Sequence, residues 1–101
     1  MNDDRFEHIL TGVAMVVFEQ RDIVAGRLQL AVEKGFDPAS MAALSISRQR
    51  LADYLNLWRI ASDLPEGTPD ATLMRSAQQR VMAHREEAEA MLGRPLSGGE
   101  R

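Results

Sequence analysis

Seven residues carry the chemistry this sequence offers most plainly: Ser47, Arg48, Gln49, Arg50, Ala52, Asp53 and Asn56. A glutamine can pair two hydrogen bonds with an adenine edge, an alanine can touch a thymine methyl, and an aspartate can accept from a cytosine amino group. Arginine forks onto guanine or onto phosphate. If Leu51, Leu55 and Trp58 face inward on a helix, its 3.6-residue repeat turns Gln49, Ala52, Asp53 and Asn56 outward. Arg48 and Arg50 then stand at the rim. Such a face suits the major groove of double-stranded DNA, although an ordinary solvated helix surface can have the same composition.

The elements that would hold this face are legible around it. Pro38–Ile60 reads as a helix-turn-helix: a short alanine-rich helix to Leu44, a turn at Ser45-Ile46-Ser47, and a second helix opening with Arg48-Gln49-Arg50. In that template two short helices cross closely, so each slot has a steric demand. Leu44 would pack inward, Ser45 would take the turn slot usually given to glycine, Ile46 would plug the crossing and Ser47 would cap the second helix. Leu51 and Tyr54 fall in the next inward slots. Met41, where a small residue is expected, and Ser45, which lacks glycine's freedom at positive φ, depart from the template. Upstream, Gly35 suits a left-handed helix end, Asp37 an N-cap, and Pro38 a first helical turn.

Residues 3–33 read as helix, with Asp3 or Asp4 as cap. Phe6, Ile9, Leu10, Val13, Val16 and Val17 form one apolar stripe, and Ile23, Val24, Leu28 and Ala31 a second. The polar Glu19-Gln20-Arg21-Asp22 separates them. Two helices are expected here, because a thirty-residue helix is long for so small a domain. Leu64-Pro65-Glu66-Gly67 should end the helix-turn-helix unit near Ser62. A last helix should run from Thr68-Pro69-Asp70 to Gly93. Within it Met74, Ala77, Val81, His84, Ala88 and Met91 alternate by three and four, the rhythm of a coiled-coil seam, which makes it the expected dimerisation element. The expected architecture is all-α with about five helices. Residues 1–67 hold the helix-turn-helix (38–60), 68–93 the dimerisation helix, and 94–101 a disordered tail.

Composition narrows the function classes. At 101 residues the chain is one modest domain. Its formal net charge of -3 does not favour phosphate binding overall. Yet eleven of the twelve cations are arginine, and Ile46–Ile60 holds three of them against one acid, Asp53. The acids gather at Asp3-Asp4-Glu7 and Glu86-Glu87-Glu89. There is no cysteine, and the two histidines, His8 and His84, are far apart in sequence with no carboxylate pattern around them. No metal site, no cofactor and no catalytic cluster is expected, so an enzyme is not. The longest apolar run, Ile9 to Phe18, is short of the ~20 residues a bilayer span needs. The expectation is therefore a cytoplasmic protein with no membrane partner and no small-molecule effector. Trp58 and Tyr54 read as core, the methionines as gap-fillers, and Arg85–Glu89 as a solvated face.

Residues 6–92 resemble the TrfB-type plasmid repressors, the KorA family. The likeness rests on Phe6 and Gly12 in the first helix, the alanine-rich helix before Leu44-Ser45-Ile46-Ser47-Arg48, an inward Trp58, Leu64-Pro65-Glu66-Gly67, and a last helix rich in glutamine and charge. The helix-turn-helix portion is also similar to that of ParB-type partition proteins. The first resemblance implies a homodimeric transcriptional repressor on a palindromic operator, paired through its C-terminal region, with Arg48 among the DNA contacts. A helical protein-interaction module, such as an antitoxin-like or phage-encoded inhibitor, is the alternative that the net negative charge and the apolar seam suggest.

Overall fold

One short connector, Lys34-Gly35-Phe36-Asp37, folds the first sixty residues into a helical hairpin. The structure is a computed structural model that describes residues 3–96. Its elements are α1 (Asp3–Glu33), α2 (Pro38–Ala61), α3 (Asp70–Ala83) and α4 (Arg85–Leu92), and the described residues contain no strand. Gly35 and Phe36 both take positive φ, 68° and 60°. The Phe36 amide bonds the Ala31 carbonyl at 2.7 Å and the Gly35 amide bonds that of Val32 at 3.1 Å, closing α1 in a Schellman turn. The Asp37 carboxylate then accepts from the Ser40 amide at 3.0 Å and Pro38 opens α2. Glycine takes the left-handed conformation freely, whereas Phe36 is held there against a strain of about 1 kcal/mol.

Three expectations about the elements are overturned. Residues 3–33 form one helix of 31 residues, not two. The polar tetrad does not interrupt it because two of its members find partners off the helix: Glu19 bonds Arg94 at 2.7 Å, and Arg21 Nη1 donates to Gln78 Oε1 of α3 at 3.4 Å. The turn at Ser45-Ile46-Ser47 is absent, and α2 is a single helix of 24 residues. Its inward stripe explains why. Ser40, Leu44, Ser47, Leu51, Leu55 and Trp58 recur at intervals of four, three, four, four and three, so helical phase runs through the supposed turn without a slip. Ser47 is buried on that stripe instead of capping a helix, and the intended plug, Ile46, points to solvent at 55% exposure. Thirdly, the expected helix over 68–93 breaks at His84 (φ -122°, ψ 44°) into α3 and α4.

α3 packs on the first half of α1 and the last part of α2, and α4 packs on α1 and α3. Leu10, Ala14, Val17 and Phe18 of α1 meet Leu55 and Trp58 of α2, Leu73, Ala77 and Val81 of α3, and Ala88 of α4 in one core. Leu96 completes that core at 1% exposure, after Gly93 turns the chain in the left-handed region at φ 77°. The Leu96 amide donates to Glu89 Oε2 at 3.0 Å. Of the expected disordered tail, Leu96 is therefore packed and Arg94 is paired with Glu19, while 97–101 lie outside the described residues. The expected dimer seam is also internal. Ala77, Val81 and Ala88 have no exposed surface in the single protomer, while Met74, His84 and Met91 lie partly exposed at the margins of the same packing.

Beyond Phe18 and before Leu51 the hairpin continues without a third helix, as a two-helix arm whose buried residues are Ala31, Ser40, Leu44 and Ser47. Small side chains let α1 and α2 approach closely there, but they bury little apolar area. The arm makes the molecule long. Its extents are 52 × 33 × 19 Å, and its radius of gyration, 14.8 Å, exceeds the ~13 Å of a compact chain this size. No helix among the described residues is long and apolar enough to cross a membrane.

Candidate nucleic-acid interface

Because α2 is continuous, helical phase alone places the candidate side chains. Arg48, Gln49, Ala52, Asp53 and Asn56 share one exposed strip along about 12 Å of the helix axis. Arg50 is exposed too, but it stands on the other side of the inward stripe. Ser47 is withdrawn from the set because its side chain lies in the α1–α2 seam. Leu55 and Trp58 are buried, and Leu51 and Tyr54 are half-buried against the core, so the inward register of the second half of α2 holds.

Three of the candidate readers are already engaged. Gln49 Nε2 donates to Asp53 Oδ1 at 3.0 Å, an i to i+4 bond along the strip. Paired hydrogen bonding by Gln49 to an adenine edge would require that bond to open. Asn56 Oδ1 accepts from Arg59 Nε and Nη2 at 3.3 and 3.2 Å, and Arg59 Nη1 reaches the Leu64 carbonyl at 3.3 Å. This fastens Arg59 to the end of α2. By contrast, Arg48 and Arg50 make no hydrogen bond or ion pair among the described residues.

The acidic side of the molecule behaves differently. Glu7 pairs with Arg80 at 2.8 Å, Glu19 with Arg94 at 2.7 Å, and Glu89 with Arg85 at 3.1 Å. His8 and His84, distant in sequence, meet at one carboxylate: His8 Nδ1 pairs with Glu87 Oε2, and His84 Nδ1 lies 3.7 Å from Glu87 Oε1. The absence of a carboxylate around the histidines is thus corrected by the fold, which brings residues 8, 84 and 87 together across α1 and α4. The hydrogen bond from His8 holds the Glu87 carboxyl below its ordinary range. The described residues hold no group of three histidine, cysteine or acidic side chains arranged for a metal ion. Asp37 is likewise held below the carboxylate range by its bonds to Ser40.

A feature with no counterpart in the sequence motifs lies beside the strip. A cleft of about 640 Å³ opens between the base of the arm and the first residue of α3. Val24, Met41, Leu44, Leu51 and Leu55 line its apolar part, and Arg48, Gln49 and Asp70 line its polar part. The apolar spacing of α1 and α2 marks Leu44, Leu51 and Leu55 as inward-facing, yet only the start of α3 at Asp70 leaves the groove open. No family matches the chain, and neither a curated protein nor a solved structure matches it.

Proposed function

We propose that this protein binds double-stranded DNA through the exposed strip of α2, as a sequence-specific repressor acting as a homodimer. The observation that supports the reading is that Arg48 stands on the exposed strip of α2, and Arg50 across the inward stripe from it, with no hydrogen bond or ion pair among the described residues, while Glu7, Glu19, Glu87 and Glu89 elsewhere are held by Arg80, Arg94, His8 and Arg85. An overall charge of -3 therefore coexists with two guanidinium groups on α2 that are open to phosphate. The mode of entry differs from a helix-turn-helix. A single long helix would lie along the major groove, with Ala52 and Asp53 toward base edges, Arg48 and Arg50 toward phosphates, and no crossing helix behind its tip. In a two-fold dimer the half-sites would be spaced ~10 base pairs apart or a multiple of that.

Fluorescence anisotropy with a labelled mixed-sequence duplex at low salt tests this. The wild type should bind with a dissociation constant in the range of ~1–100 μM, weakening steeply as salt rises. The double variant Arg48→Ala/Arg50→Ala should reduce the log–log salt slope by about two, roughly 0.9 for each phosphate no longer neutralised. Wild-type protein that leaves the duplex free at several hundred micromolar would sink the reading. In that event the protein-interaction alternative stands, and it has its own observation. Ile46, Leu57 and Ile60 lie 55%, 45% and 59% exposed on the solvent side of α2, where a protein partner would cover them.

A further inference from the structure

On the reading that α2 seats in the major groove, we infer that Gln49 and Asp53 act together as one composite reader of a single adenine. Gln49 donates to N7 and Asp53 accepts from the N6 amino group, while the bond between the two side chains is kept.

The pair is already assembled. Gln49 Nε2 donates to Asp53 Oδ1 at 3.0 Å, and both side chains are exposed on the outer strip of α2. An amide nitrogen of this kind carries two hydrogens, and a carboxylate about four lone-pair sites. The bond uses one of each. The second hydrogen of Nε2 and the rest of the carboxylate have no partner among the described residues. A donor and an acceptor therefore stand side by side, one hydrogen-bond length apart. Adenine shows the complement in the major groove, an N7 acceptor next to the N6 amino donor. The two edges match without opening the Gln49–Asp53 bond.

The other bases match less well. Guanine sets O6 against the carboxylate, acceptor on acceptor. Thymine offers O4 to the amide hydrogen but gives Asp53 no donor. Cytosine gives its N4 amino group to Asp53 and leaves the amide hydrogen without an acceptor.

The same role accounts for an acid on a strip that meets phosphates. No cation pairs with Asp53 among the described residues, so its charge weakens general attraction to the duplex. That loss is offset only where the carboxylate accepts from a base, and Asp53 then selects by rejection as well as by contact. Asn56, the other amide on the strip, is not free for this work, because its Oδ1 already accepts from Arg59 Nε and Nη2. Locking Gln49 to Asp53 also lowers the ordering cost of binding, since both side chains are held before the base arrives.

Selection of wild-type binders from a random-sequence duplex library, followed by anisotropy on the selected duplex, tests the reader. An adenine should be fixed at one position in each half-site. Guanine in its place should weaken wild-type binding by about 5- to 100-fold, the worth of one bidentate base contact. 7-Deazaadenine, which keeps the amino group but lacks N7, should weaken it by about fivefold, the worth of one hydrogen bond. Gln49→Ala should abolish the 7-deazaadenine effect and Asp53→Ala the rejection of guanine, and the two losses should not add in the double variant. Asp53→Ala should also bind mixed-sequence duplex more tightly than the wild type does. Both positions are exposed, so the helical signal in circular dichroism should not change. Captured duplexes with no adenine that answers to both residues would overturn the composite reader and leave duplex binding standing. Failure to capture any duplex would remove the seating of α2 in the groove, and the reader with it.

Discussion

Replacing Val81 by aspartate is expected to unfold the protomer itself, and not merely to separate two subunits. Val81 has no exposed surface and sits in the core beside Ala77, Leu73 and Trp58. A carboxylate placed there has no cation within the apolar cluster and must either be desolvated or take up a proton. Uncompensated burial of this kind removes several kcal/mol, about 4 or more, from a total stability of ~5–15 kcal/mol. Val81→Ala provides the graded control, with an expected loss of about 2 kcal/mol for the deleted methyl groups. Circular dichroism and thermal unfolding at low micromolar concentration give the readout. If Val81→Asp kept a wild-type unfolding midpoint and lost only self-association, the seam of α3 would have to face a second subunit after all.

The second large effect is expected at Trp58, where two substitutions should separate sharply. Trp58 is 3% exposed and joins α2 to α1 and α3 at the centre of the body. Trp58→Ala should reduce stability by about 3–5 kcal/mol through lost burial and the cavity left behind. Its indole nitrogen, however, donates to no acceptor among the described residues. A buried donor without a partner carries a desolvation penalty of about 1–3 kcal/mol. Trp58→Phe gives up part of the ring volume but sheds that penalty, so its stability should fall within about 1–2 kcal/mol of the wild type. Urea unfolding monitored by circular dichroism measures both. Equal losses for the two variants would show that the indole nitrogen is satisfied in solution and that ring volume alone matters.

What is legible in the sequence is what local chemistry decides. Gly35, Asp37 and Pro38 each do what backbone sterics and hydrogen bonding require of them, and the hairpin connector lies where they put it. Leu44, Leu55 and Trp58 are buried in the expected register. The turn at Ser45–Ser47 fails to form because helical phase and propensity outweigh a match to template slots. Met41-Ala42-Ala43-Leu44 and Gln49-Arg50-Leu51-Ala52 are strong helix formers, and no glycine or proline stands between them to stop propagation. Ser47 has a second use as a small residue between close helices, and this the template does not distinguish from a cap.

The seam of α3 and α4 illustrates a different limit. A three-four apolar rhythm says that Ala77, Val81 and Ala88 are covered, but not by what, and in a chain this small its own core claims them first. Arg48, Gln49, Ala52, Asp53 and Asn56 share a face for a reason that survives the loss of the turn, since helical phase continues through it. The cleft, the arm and the meeting of His8 with Glu87 depend on contacts between residues far apart in sequence, which periodicity cannot supply.

The unequal backing of α1 has a thermodynamic consequence. From Leu10 to Phe18 its inward face is locked by three other helices, and opening an amide there means dismantling the body. From Ile23 to Glu33 the same helix rests on α2 alone, over a seam of Ala31, Ser40, Leu44 and Ser47. Amide hydrogens in the second segment should therefore exchange with solvent through local fraying, at opening free energies well below the global value, while those of the first exchange only on complete unfolding. A single unbroken ladder of hydrogen bonds is thus divided into two cooperative units, with the boundary near Glu19–Asp22.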